Sequence, residues 1–98
     1  MGIRIECDHP KHPGVYVVFR ETGWRFGDRT AILSSGSSDE DAVRIIVKYV
    51  EDWNVVQLDG APAPRTDKGV AEADDAVACW LIRAWFSART KAVAVSPN

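Results

Sequence analysis

From Val70 to Arg89 this 98-residue chain carries apolar side chains around almost every side of what reads as a helix. Plotted at about 100° per residue, Val77, Trp80, Leu81, Ala84, Trp85 and Ala88 form one wide stripe, which is the expected core face. Cys79, Ile82 and Phe86 form a second stripe on the opposite side, at spacing i, i+3, i+7. Only a narrow strip around Ala76, Arg83 and Ser87 remains for water. A helix that is apolar nearly all round must be covered nearly all round. A chain this short has few elements to cover both faces, so the second stripe predicts contact with another chain. The competing arrangement covers one side with an N-terminal hairpin and the other with the middle helix.

The preceding segments support a small α+β, helix-rich domain over residues 1–90, with residues 91–98 as a flexible C-terminal tail. The length suits one core and leaves no room for a second. Ile3, Ile5 and Cys7 alternate with Arg4 and Glu6, the period-2 pattern of a half-buried strand. Val15–Arg20 is β-branched and aromatic and reads as its hairpin partner across the Pro- and Gly-containing loop DHPKHPG. Asp28 is placed to cap a short helix through Leu33, with Trp24 and Phe26 plugging its junction with the hairpin. Ser34–Ser38 reads as a breaker. Ser38 or Asp39 can cap a second helix whose apolar face runs through Ala42, Val43, Ile46, Val47, Tyr49, Val50 and Trp53. The last helix is the third and longest, with Glu72, Asp74 and Asp75 near its start and Arg83 and Arg89 towards its end, as the helix dipole favours. Whether residues 54–58 join the hairpin as a third strand is left open by the sequence.

Composition excludes several functions. No apolar run approaches the ~20 residues of a membrane helix. A net charge of −2 gives no basic excess for nucleic acid. Two cysteines do not make a disulfide framework, and the N-terminal MGIRIECDHP has no secretory apolar core, so a cytoplasmic location with free, partly buried thiols is expected. Cys7, His9 and His12 are zinc-compatible ligand types within six residues, yet the second ligand pair of a structural site is missing. No metal or cofactor is therefore expected. No nucleophile elbow or phosphate-binding glycine pattern is present, and the carboxylate groups Asp39-Glu40-Asp41 and Asp74-Asp75 fall in first turns of helices. The chain is not expected to be an enzyme.

The order of short motifs carries a resemblance. Trp24, Gly27, Asp28 and Arg29 make a W-x-x-G-D-R step; Trp53-Asn54-Val55 ends an acidic-capped helix; Asp59-Gly60-Ala61-Pro62 makes a D-G-x-P turn before the alanine- and tryptophan-rich last helix. Over residues 15–88 this resembles the small tail-assembly proteins of long-tailed bacteriophages and prophages, of the tail assembly chaperone type. The resemblance implies a non-enzymatic factor in the bacterial host cytoplasm that binds a tape-measure-like protein and self-associates, with Cys79, Ile82 and Phe86 as the contact residues. The alternatives are another small phage structural component, such as a head-to-tail connector, or a small metal-binding or regulatory domain using the Cys7-His9-His12 loop.

Overall fold

In a computed structural model, which describes residues 2–34 and 38–94, strand β1 (Ile3–Glu6) pairs antiparallel with β2 (Tyr16–Phe19) as the alternation predicts. Ile3 faces Phe19 and Ile5 faces Val17 in register, so one side of the ribbon is apolar. Arg4, on the other side, lays its guanidinium 3.9 Å from the centre of the Tyr16 ring. Helix α1 (Phe26–Leu33) and helix α2 (Asp39–Ile46) follow, then a 3₁₀ turn (Val47–Tyr49) and strand β3 (Val50–Trp53). β3 pairs antiparallel with β2, with Val17 opposite Trp53, so the sheet order is β1-β2-β3. Helix α3 (Asp67–Ala71) and helix α4 (Asp75–Ala94) complete the chain. Val17, Phe19 and Trp53 on the sheet, Ala42, Val43 and Ile46 on α2, and the wide stripe of α4 are buried in one core.

The second helix is shorter than its periodicity suggests. It stops at Ile46, and Val50–Trp53 is a strand, so the apolar face expected through Trp53 is divided between helix and sheet. Val47–Tyr49 tightens into the 3₁₀ turn that ends the helix, and the β-branched Val50 then starts the extended strand. Pairing with β2 then satisfies its backbone, and Arg20 N–H donates to Tyr49 O at 3.0 Å. Ser38, not Asp39, is the N-cap: its hydroxyl accepts from Asp41 N–H. The rest of the Ser34–Ser38 breaker, residues 35–37, lies outside the described residues.

The last helix is two helices. Thr66 caps α3 by accepting from Gly69 N–H at 3.1 Å. The chain breaks across Glu72–Asp74, where Glu72 O accepts from Leu58 N–H at 2.9 Å instead of continuing a helix. Asp74 O then accepts from Val77 and Ala78 N–H and starts α4. α4 extends past Arg89 to Ala94, so Lys91–Ala94, expected in the tail, are helical; residues 95–98 lie outside the described residues.

Residues 54–58 are not the third strand. Val56 makes one isolated bridge with Pro62 across the Asp59-Gly60 turn, in which Gly60 has φ +90°, a conformation that favours glycine. Asn54 instead locks the hairpin: its side-chain amide donates to Gly14 O and its side-chain oxygen accepts from Tyr16 N–H, at 2.9 and 2.8 Å. Trp53 Nε1–H donates to Ala63 O at 2.9 Å. Asp28 is not a cap, since Arg25 occupies that position. Trp24 does plug the junction, half-buried with its indole N–H on Arg20 O at 2.7 Å, whereas Phe26 is 69% exposed.

Candidate functional site

The two faces of α4 separate as their spacing predicts. Val77, Trp80, Leu81, Ala84, Trp85 and Ala88 are all buried. Trp85, fully buried, anchors an aromatic group: its ring centre lies 5.4 Å from Trp24, 5.7 Å from Tyr49 and 5.0 Å from Phe86, the last two edge to face. On the opposite face Cys79 is exposed and Ile82 and Phe86 are half-buried. Cys79 is thus more accessible than the partly buried thiol expected of it.

The structure divides this second stripe. Phe86 leans on Trp85. Cys79 and Ile82 line a groove of about 540 Å³ between α4, α3 and α2, closed on its other walls by Val43, Val70 and Ala73. That volume lies within the usual range of binding clefts, about 300–1,000 Å³. Asp39, Glu40, Asp67 and Asp75 stand around the groove together with Lys68. Arg44 ties two of the walls together, pairing with Glu40 on α2 at 3.4 Å and with Asp67 on α3 at 3.7 Å. The groove walls escape a reading by helix periodicity, because the groove exists only where α3 and α4 part. Thr66 marks in the sequence where α3 starts, but no Gly or Pro marks where it parts from α4.

The Cys7-His9-His12 loop is used for docking. His12 Nε2–H donates to Asp74 Oδ2 at 2.5 Å, and Asp8 receives Arg83 of α4 at 3.5 Å. His9 Nδ1 accepts from Lys11 N–H within the loop, and Cys7 packs half-buried against the core. Among the described residues no three His, Cys, Asp or Glu side chains are grouped to hold a metal ion. The hydrogen bond from His12 holds the Asp74 carboxyl below its ordinary range, against the upward push of burial.

A second polar group lies under α1. The Tyr49 hydroxyl donates to Asp28 Oδ2 at 2.5 Å and accepts from Arg25 N–H at 3.1 Å, while the Arg20 guanidinium sits 4.1 Å over its ring centre. Burial, and then the bond to Asp28, raise the Tyr49 phenol above its ordinary value. It stays protonated and serves as a donor that ties α1 to the 3₁₀ turn. The motif residues Asp28, Trp53 and Asn54 therefore all have structural partners inside the fold.

No helix among the described residues is long and apolar enough to cross a membrane. No protein-family profile, curated protein or solved structure matches the chain.

Proposed function

We propose that this chain is a non-enzymatic assembly factor of the phage or prophage tail-assembly type. It acts in the bacterial host cytoplasm, binds a tape-measure-like protein and associates with itself through α4. One observation carries the reading: on its longest helix the fold leaves Cys79 exposed and Ile82 and Phe86 only half-covered beside the core. An apolar helix face left partly open to water is where a partner can bind, as exposed apolar patches do in soluble proteins. A tape-measure protein is a long apolar helix before the tail tube forms around it, and a factor that shields it needs such a face.

The reading has a direct test. A long helix-rich reading frame should lie beside the gene for this chain, and co-expression should raise the soluble fraction of its product. The double variant Ile82→Glu/Phe86→Glu should keep its circular dichroism spectrum and lose that effect. A soluble yield that is the same with and without the chain would sink the proposal.

A further inference from the structure

The rim of the groove and the far end of α4 carry opposite net charge. Asp39 and Asp75 on the rim pair with no basic side chain among the described residues, Glu40 and Asp67 share Arg44 with Asp41, and Lys68 stands beside them, so carboxylates still outnumber cations around the groove. Arg89 and Lys91, near the other end of α4, likewise pair with no carboxylate among the described residues. Val93 beside them is 53% exposed. Val93 also continues the apolar stripe, since Cys79, Ile82, Phe86 and Val93 repeat at helical spacing. The far end of α4 is thus a cationic segment with an apolar side, and the groove is an apolar cleft with an anionic rim.

Within one molecule the two cannot meet. Cys79 and Lys91 lie on one rigid helix and are separated along its axis by about 18 Å at 1.5 Å per residue. We infer that the groove receives the Arg89–Val93 segment of α4 from a second copy of this chain. Val93 enters between Val70 and Ile82, and Arg89, about 40° from it around the helix, faces the rim carboxylates, while Lys91 on the far side of the helix adds to the positive charge of the segment. Because groove and segment sit at opposite ends of the same helix, each copy gives one and receives one. The contact is self-complementary: in an antiparallel two-fold pair the segment of each copy fills the groove of the other, which closes a dimer. The inference rests on α4 being the association surface, and adds to that reading the register and the charge of the contact between copies.

Charge reversal across the contact tests it. One variant reverses the segment, Arg89→Glu/Lys91→Glu, and the other reverses the rim, Asp39→Lys/Asp75→Lys. Sedimentation velocity of the full chain at low salt should show concentration-dependent association of the wild type that salt weakens. Each variant alone should associate about tenfold more weakly or worse, as like charges then face each other at a contact. An equimolar mixture of the two should recover association, since each reversed end then meets an opposite partner. If the lysine substitutions unfold the helix starts, Asp39→Asn/Asp75→Asn removes the charge at nearly constant shape, leaves the Ser38 cap in place, and should still weaken association and flatten its salt dependence. Association of both reversed variants at wild-type strength, or a mixture that stays monomeric, overturns this docking. If Ile82→Glu/Phe86→Glu nonetheless dissolves those assemblies, the reading of α4 survives. A wild type that is monomeric at every concentration overturns the docking, and the co-expression test then decides the partner-binding reading by itself.

Discussion

The two faces of α4 use similar side chains for opposite purposes. One face packs Trp80, Leu81 and Trp85 out of water against the sheet and α2, and the other leaves Ile82 and Phe86 half-buried and Cys79 exposed. The difference does not lie in hydrophobicity. It lies in what the chain places opposite each face: a three-stranded sheet and an aromatic group on one side, an open groove with a charged rim on the other. An apolar helix face therefore becomes core only where another element is positioned to cover it.

Substitutions on the two faces should separate accordingly. The largest effect is expected for Trp85→Ala, which empties the centre of the aromatic group and should destabilise the chain by about 3–5 kcal/mol in urea unfolding. A loss under about 1 kcal/mol would mean that the core face is not where the structure places it. Next comes Tyr49→Phe, which leaves Asp28 and Arg25 N–H without their partner and should cost about 1–2 kcal/mol in the same measurement. Unchanged stability would remove the tie between α1 and the 3₁₀ turn. On the half-covered face, Ile82→Glu should cost about 1–2 kcal/mol, well below Trp85→Ala, and keep the folded spectrum while association falls. Loss of the folded spectrum would instead put Ile82 in the core and erase the contrast between the faces.

The smallest effect concerns acid stability. Asp74, held below its ordinary value by His12, contributes stability that is present above the unfolded-state carboxylate pKa and lost as pH falls through the lower folded-state value. His12→Ala should therefore lower the thermal midpoint slightly at neutral pH and reduce its fall in acid. Wild-type and variant acid titrations that run parallel would show that the pair adds nothing to the docking of the hairpin loop.

Much of this architecture is legible along the chain, and the exceptions share a cause. Ile3–Glu6, Tyr16–Phe19, the Ser38 cap and the buried stripe of α4 follow from local alternation, capping chemistry and helical spacing. β3 is hidden because Val47–Trp53 keeps the angular period of a helix while its partner, β2, lies some thirty residues earlier. The break at Glu72–Asp74 contains neither Gly nor Pro, and is set by Leu58 and His12 from distant segments. Phe26 looks like a plug by composition, yet Tyr49 and Trp85 already fill the space beside Trp24. The same division holds at the candidate site. Cys79, Ile82 and Phe86 can be found from one helix, whereas the acidic rim requires three helices to be in place.

The hairpin loop joins the two ends of the chain: His12 meets Asp74, and Asp8 meets Arg83, across 62 and 75 residues of sequence. Contacts of such long separation must overcome loop-closure entropy before they stabilise anything, and they slow folding. During synthesis the first strand leaves the ribosome long before the helix that shields it. The sheet and α2 then wait, incomplete, until Trp85 arrives. The core and the proposed contact face thus become available together, on the same late-emerging helix, so a nascent chain does not present the finished face of α4 before its own fold can close.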